Sequence, residues 1–235
     1  MSDPSSVFLY YIDVDIPLSW NDIGRKVGSY SLGHYHDDLY QEFGIPLPSE
    51  IAVSVRKRRA EYLAGRLLAK DLLHDHGIEH YDLGFNRHRY PQWPSSVVGS
   101  ISHSADIVAC VCVSKNEYNG IGIDIETTFD EKTKKDIWEL VFDPSEQKLV
   151  EMTGEQTLLY STLVFSAKES LFKTLYPSVG SYFDFSAARV LDVDTAHASL
   201  TIVLTQPLGK RHQEGDRFVV KYCTHNNMIM TLVTY

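Results

Sequence analysis

The segment that most constrains the fold is Gly120-Ile-Gly-Ile-Asp-Ile-Glu126. In a β-strand, side chains two positions apart point to the same face, so Asp124 and Glu126 share one face and the three isoleucines line the other. Two carboxylates placed in this way repel each other unless a cation lies between them, and hard oxygen ligands suit Mg²⁺. The segment therefore predicts a strand with an apolar wall behind a divalent-metal site. A half-exposed strand end with solvated acids is the alternative.

The charge balance narrows the classes of ligand. The chain has 235 residues, with 31 acidic and 22 basic side chains and a formal charge of −9. This length can bury a sizeable core, as one large domain or two small ones. An acidic excess argues against nucleic acid as the main partner, so an anionic ligand must be held by a local basic cluster.

The sequence has no apolar run of about 20 residues and no signal-peptide pattern at its start, and we expect a cytoplasmic protein without a membrane span. Its three cysteines are predicted to be buried free thiols.

The pattern of apolar residues predicts two α+β halves, residues 1–117 and 118–235. The first half has predicted strands at 7–14, 97–101 and 107–113, a loop up to residue 48 and a helix at 49–74. The second half has a predicted strand at 120–126, helices at 132–141, 144–151 and 155–176, and four β-rich runs at 182–193, 198–205, 217–223 and 228–234. Neither half alternates strands and helices as a doubly wound sheet does, which favours the α+β class.

A second motif lies in the long predicted helix and reads Phe165-Ser-Ala-Lys-Glu-Ser-Leu-Phe-Lys173. Phe165, Glu169 and Lys173 recur every four residues and therefore lie on one face of the helix. A carboxylate in this position either has a function or forms an ordinary Glu–Lys helix pair worth about 0.3–0.5 kcal/mol.

The third motif is a basic helix that runs from Arg56 to Lys70. At 100° per residue, Arg56, Arg59, Arg66 and Lys70 fall in one quadrant of the helix. Guanidinium groups bind phosphate with two parallel hydrogen bonds, so a multiply phosphorylated ligand is the functional interpretation. A solvated helix face is the alternative.

The fourth motif is Gly99-Ser-Ile-Ser-His-Ser104, which follows an Arg-rich loop and ends a predicted strand. Small residues let backbone N–H groups approach an anion, and His103 can add a donor or a charge. The sequence contains no P-loop, and Gly120-Ile-Gly122 is too short for a dinucleotide-binding fingerprint.

These four motifs, in this order, resemble the 4'-phosphopantetheinyl transferases of the surfactin and enterobactin synthase component D type. Arg-Arg-Ala-Glu-Tyr-Leu-Ala-Gly-Arg at 58–66 and Pro-Gln-Trp-Pro at 91–94 match the same family. The resemblance implies a monomer built as a pseudo-twofold pair of similar α+β halves with the active site at their interface. It also implies Mg²⁺-dependent transfer of the 4'-phosphopantetheine arm of coenzyme A to a serine of an apo carrier protein, with release of adenosine 3',5'-bisphosphate. The carrier would be an acyl, peptidyl or aryl carrier of a nonribosomal peptide or siderophore synthase.

The resemblance also implies roles for individual residues. Asp124, Glu126 and Glu169 would hold Mg²⁺, Glu169 would remove the serine proton directly or through a water, and Lys173 would steady the pyrophosphate and the leaving phosphate. The residues expected to contact the phosphate region of coenzyme A are Arg59, Arg66, Arg89, Ser102 and His103. Arg87 is a rival to Arg89, because Arg-Tyr-Pro stands at 89–91 where the family usually has Gly-Lys-Pro.

Two other functions stay open at this point. One is a non-catalytic carrier-binding module of the same fold, against which the four retained charges at 124, 126, 169 and 173 argue. The other is a Mg²⁺-dependent hydrolase of nucleotide pyrophosphates, which would need a group that activates water. A lysine cluster, Lys132, Lys134 and Lys135, is a candidate docking surface for an acidic carrier, with a solvated helix start as the alternative.

Overall fold

Two long helices, each packed on its own antiparallel sheet, organise the chain. The computed structural model describes residues 7–14, 20, 22–87 and 89–235. In the first half, the strands are β1 (Leu9–Tyr11), β2 (Gly24–Tyr30), β3 (Val97–Ser104) and β4 (Ile107–Ser114), and the helices are α1 (Leu39–Glu42), α2 (Ser49–Ala52) and α3 (Arg56–Asp75). The strands pair in the order β1-β2-β4-β3. The predicted loop up to residue 48 is wrong, because it contains β2 and α1.

The second half follows the same plan with more strands. Its strands are β5 (Ile121–Thr127), β6 (Ala188–Asp194), β7 (Ser199–Leu204), β8 (Arg217–His225) and β9 (Met228–Thr234), and its helices are α4 (Glu131–Val141), α5 (Pro144–Glu151) and α6 (Thr157–Val179). The strand order is β5-β9-β8-β7-β6. The strand predicted to begin at residue 182 begins at Ala188 instead, after a 3₁₀ turn in which the Asp184 side chain accepts the Ser186 amide. The predicted α+β class with two halves is confirmed, whereas the domain bounds 1–117 and 118–235 stay a prediction.

The isoleucines of β5 form the apolar wall that the sequence predicts. They pack against a core between the two sheets that includes Val111 and Val113 of β4 and Leu232 of β9. On the other side of β5, α6 approaches so closely that Gly122 has no room for a side chain, since a Cβ there would lie 2.7 Å from the backbone nitrogen of Thr174. Strand β5 is therefore enclosed on both faces, and its two acidic side chains are held in a crowded environment.

The two sheets meet where β3 and β5 lie side by side. Serine hydroxyls of β3 accept hydrogen bonds from backbone amides of β5 at this junction, so the halves are joined beside the acidic motif. Within the described residues, the three cysteines are buried and form no disulfide, as predicted. Among the helices of the described residues, none has the length and apolarity required to cross a bilayer.

Candidate active site

A cleft of about 670 Å³ lies between α3 and β3 of the first half and α6 of the second. Its basic lining residues are Arg58, Arg66, Arg87, Arg89, His103 and Lys173. Among the described residues, the acidic residues that line it are Glu50 and Glu61. In a chain of charge −9, this cleft is the local basic cluster that the charge balance requires for an anionic ligand.

The structure does not bring Arg59 to this cleft. Its Nε donates to Asp37 at 2.9 Å, and its Nη1 donates to the Ser54 carbonyl. Arg56 and Lys70, which share its predicted quadrant, donate to the Tyr35 and Phe43 carbonyls. These three residues of α3 therefore anchor the segment that precedes the helix, whereas Arg66, the fourth member of the quadrant, lines the cleft. The contact between Arg59 and a phosphate, expected from the sequence, has no support in the geometry.

Arg58, one residue earlier, lines the cleft in place of Arg59. Its Nη1 lies 2.8 Å from Nε2 of His103. Because a guanidinium can only donate, Nε2 accepts, and the imidazole proton is on Nδ1, which lies 3.7 Å from Oε1 of Glu61. Burial lowers the pKa of His103, and the positive charge of Arg58 acts in the same direction although Glu61 opposes it. His103 is thus a neutral imidazole at pH 7 in this arrangement.

Arg66 is a buried cation without a carboxylate partner among the described residues. Its Nε donates to the Leu83 carbonyl at 2.7 Å, and its guanidinium lies 4.1 Å from the centre of the Tyr62 ring. Burial lowers its pKa, which reflects the cost of keeping the charge away from water. An anion that enters the cleft would relieve this cost, so Arg66 is well placed to bind a phosphate.

Asp124 is the most enclosed of the predicted metal ligands, with 3% of its surface exposed. Its Oδ1 accepts from Nζ of Lys173 at 2.7 Å and from Oγ of Ser102 at 2.9 Å. Its Oδ2 is buried and has no hydrogen-bond partner among the residues that the structure describes. A buried carboxylate oxygen without a partner is costly, and a coordinated cation would satisfy it.

Glu126 and Glu169 are also partly removed from water. Burial, with a further contribution from Asp124, raises the pKa of Glu126 to about 7. Burial and Asp124 likewise raise the pKa of Glu169, although Lys173 opposes the shift. Each carboxyl is therefore a stronger base than usual and lacks sufficient positive charge nearby.

A buried ion pair fixes α6 at the residue before Glu169. Nζ of Lys168 donates to Glu146 at 2.7 Å and to the Val141 carbonyl at 2.7 Å, and only 3% and 0% of the two charged side chains are exposed. Glu146 also accepts the backbone amides of Asp143 and Val190. No local sequence pattern indicates this pair, because its partners lie 22 residues apart on different helices.

The hydroxyl of Ser102 forms three hydrogen bonds with protein groups. Its hydroxyl donates to Asp124 and accepts from Lys173 at 2.9 Å and from the Ile125 amide at 3.3 Å. A hydroxyl has one proton and two lone pairs, so these three bonds use its full capacity. The expected contact between Ser102 and coenzyme A is therefore not supported by this arrangement.

The predicted metal ligands do not form a ready-made cluster. Within the described part of the chain, no three His, Cys, Asp or Glu side chains converge closely enough to hold a metal ion. The ammonium of Lys173 lies beside Asp124, where it balances part of the acidic charge. The unpartnered Oδ2 of Asp124 and the raised pKa values of Glu126 and Glu169 nevertheless fit a hard divalent cation.

Two family models match the chain on either side of the junction. Residues 48–113 match the 4'-phosphopantetheinyl transferase N-terminal domain, and residues 120–225 match the 4'-phosphopantetheinyl transferase superfamily. Together they include α3, the serine-rich strand β3, the acidic strand β5 and α6.

Curated proteins give the same result. Enterobactin synthase component D of Salmonella typhi is 31% identical over 170 residues, which cover 72% of this chain and 68% of the relative. Its counterpart in Escherichia coli K12 is 36% identical over 129 residues, or 55% of this chain and 60% of the relative. The 4'-phosphopantetheinyl transferase Npt of Nocardia iowensis is 29% identical over 167 residues, or 70% and 72%. The chain belongs to the 4'-phosphopantetheinyl transferases, and within them to the enterobactin synthase component D type.

Proposed function

We propose that this enzyme transfers the phosphopantetheine arm of coenzyme A to a serine of an apo carrier protein in a Mg²⁺-dependent reaction. The observation that carries the proposal is the position of a basic cleft beside buried carboxylates, with Lys173 next to both. The carrier is proposed to belong to a siderophore or nonribosomal peptide synthase, on the support of the enterobactin synthase relatives.

The basic wall of the cleft is proposed to hold the phosphates of coenzyme A. Arg66 supplies a desolvated guanidinium, and Arg58 and His103 form a hydrogen-bonded pair on the adjoining wall. Arg89 lines the cleft from the Arg-rich loop. Coenzyme A carries a 3'-phosphate and a pyrophosphate, and charge-assisted bonds from several donors fix both position and orientation.

The carboxylates of β5 and α6 are proposed to hold the metal. Asp124, Glu126 and Glu169 would be its ligands, and a bound Mg²⁺ would neutralise charge on the pyrophosphate. Lys173 lies between Asp124 and the cleft, so its ammonium can also donate to a phosphate oxygen. Its position thereby supports a role in binding the pyrophosphate.

The reaction needs no nucleophile from this chain. The carrier's serine oxygen forms a bond to the phosphorus next to pantetheine, and the bond from that phosphorus to the bridging oxygen breaks. The leaving group is adenosine 3',5'-bisphosphate. Glu169 would accept the serine proton directly or through a water, since it is the carboxylate of α6 beside the cleft residue Lys173, and in the metal-free site burial raises its pKa.

Intact-mass spectrometry of a carrier protein tests this function. We would incubate the enzyme with coenzyme A, MgCl₂ and an apo peptidyl carrier domain, and we expect the carrier to gain one phosphopantetheine group. A carrier with its acceptor serine changed to alanine is the control. An unmodified carrier with cleaved coenzyme A would identify a hydrolase, and an unmodified carrier with intact coenzyme A would refute the proposal. Equal transfer in excess EDTA would refute the metal requirement.

A further inference from the structure

The junction between the two halves is built from side chains instead of a backbone ladder. Three serines at alternate positions of β3, which we call the seam serines, each accept the amide of one β5 residue. The bonds run from Ile123 to Ser100 at 3.1 Å, from Ile125 to Ser102 at 3.3 Å and from Thr127 to Ser104 at 3.3 Å. The numbers rise together on both strands, so β3 and β5 run in the same direction with a fixed register.

The choice of serine has a chemical reason. A backbone carbonyl could accept the amides of β5, but only a hydroxyl can accept and donate at the same time. Ser102 donates to Oδ1 of Asp124 at 2.9 Å, and Ser104 donates to Oε2 of Glu126 at 3.3 Å. Ser102 and Ser104 thus each hold the carboxylate of one β5 residue and the amide of the next.

Ser100 differs from the other two in one respect. It accepts the Ile123 amide, but the residue before that amide is Gly122, which has no carboxylate to hold. Among the described residues, Ser100 therefore binds a β5 amide but no β5 carboxylate. It provides an internal control for the effect of the carboxylate contact.

The same strand also carries His103, which lies between two seam serines and projects into the cleft. Side chains alternate along a strand, so His103 faces the cleft while the neighbouring seam serines face the carboxylates of β5. Contacts that fix β3 against β5 therefore fix the positions of both sets of side chains relative to each other. We propose that Ser104 and Ser102 are positioning residues, whose hydroxyls hold Glu126 and Asp124 in register with the basic wall of the other half. This inference rests on the proposed function, because it concerns the ligands of the proposed metal.

Ser104 gives the cleanest test, since Ser102 also contacts Lys173. The variants are Ser104→Ala, Ser104→Thr, which keeps a hydroxyl, and Ser100→Ala as the matched control. Binding of Mn²⁺ to the full chain is measured by electron paramagnetic resonance of the free ion, and kcat and KM for coenzyme A are measured in parallel. Loss of a group that orients a metal ligand typically weakens metal binding by roughly 10–100-fold.

We expect Ser104→Ala to weaken Mn²⁺ binding by about tenfold and to lower kcat with an unchanged KM for coenzyme A, at the lower end of that range. Ser104→Thr should restore both properties, and Ser100→Ala should bind Mn²⁺ like the wild type. Wild-type Mn²⁺ affinity in Ser104→Ala would overturn the inference, as would an equal loss in Ser100→Ala.

A separate measurement distinguishes failure of this inference from failure of the metal site. If the wild-type chain binds no Mn²⁺, the metal site is refuted. Amide hydrogen exchange, measured by NMR, then tests whether the seam serines bind the amides of β5. Ser104→Ala should speed exchange of the Thr127 amide and leave the Ile123 amide unchanged, whereas Ser100→Ala should do the reverse. Unchanged exchange of Thr127 in Ser104→Ala would overturn the inference independently of any metal.

Discussion

Substitution of Gly122 tests the close approach of α6 to the acidic strand. A Cβ at this position would clash with the Ser170 carbonyl and the Thr174 hydroxyl, and would lie 2.7 Å from the Thr174 backbone nitrogen. Two of these atoms belong to the helix backbone and cannot rotate away, so Gly122→Ala must push α6 from β5. Overpacking of this kind costs about 1–3 kcal/mol of the free energy of unfolding. For a chain of this size, each kcal/mol lowers Tm by about 2–4 °C, so we expect a fall of about 2–12 °C.

The same displacement should reduce activity. Glu169 precedes Ser170 on α6, so any movement of this turn carries Glu169 away from Asp124 on β5. A misplacement of about 1 Å at a reacting group can cost roughly 100-fold in rate, and we expect kcat to fall by that order with a smaller change in KM for coenzyme A.

Thermal unfolding by far-UV circular dichroism, with steady-state transfer to a carrier, measures both effects of the Gly122 substitution. Gly33→Ala is the matched control, because the nearest atom to its new Cβ would be the Ser31 hydroxyl oxygen at 3.5 Å. If Gly122→Ala had the Tm and kcat of the wild type, the packing of α6 on β5 described above would be refuted.

Three further predictions follow from the charges of the site. In the metal-free protein, folding raises the pKa of Glu126 from 4.5 to about 7, so the folded state keeps a proton that the unfolded state releases between these values. The stability that this proton contributes is therefore complete below pH 4.5 and is lost as the pH rises through 7. Glu126→Gln should make the free energy of unfolding, measured with urea, depend less on pH. An unchanged pH dependence would contradict this prediction. Arg58→Met should raise KM for coenzyme A by at least about tenfold, because it removes a charged hydrogen bond to a phosphate, whereas Arg59→Met should change KM little. Equal effects of the two substitutions would contradict the placement of Arg58, and not Arg59, in the cleft. Charge reversal of the lysine cluster on α4 should slow transfer to whole carrier domains and reduce its salt dependence without changing KM for coenzyme A, and parental rates at all ionic strengths would place docking elsewhere.

Much of the second half could be predicted because its sequence patterns are local. The alternating isoleucines of β5 and the periodic apolar residues of α4, α5 and α6 each fix an element within one short segment. Strand β2 was missed because glycines occupy two of its seven positions, and glycine weakens the strand pattern. In the structure, Gly28 is required by close packing, since a Cβ there would lie 3.0 Å from the Tyr10 carbonyl oxygen.

The site was predicted less completely because its contacts join distant residues. The sequence indicates that α3 is basic, but it does not indicate which basic side chains face the cleft. Arg56, Arg59 and Lys70 donate hydrogen bonds to the segment that precedes the helix, whereas Arg58 lines the cleft. The family resemblance implies that Ser102 contacts the phosphate region of coenzyme A. Its hydroxyl instead contacts Lys173, which lies 71 residues away, and no local pattern reports a contact of that kind.

We propose that one site, shared by both halves, holds a divalent metal between the carboxylates and the basic cleft. Crystallography of the enzyme with coenzyme A and Mn²⁺, measured at the manganese absorption edge, tests this proposal directly. We expect an anomalous peak in contact with Asp124 and with the pyrophosphate, while the 3'-phosphate lies against the wall formed by α3 and β3. A manganese peak away from Asp124, or coenzyme A bound outside this cleft, would contradict it.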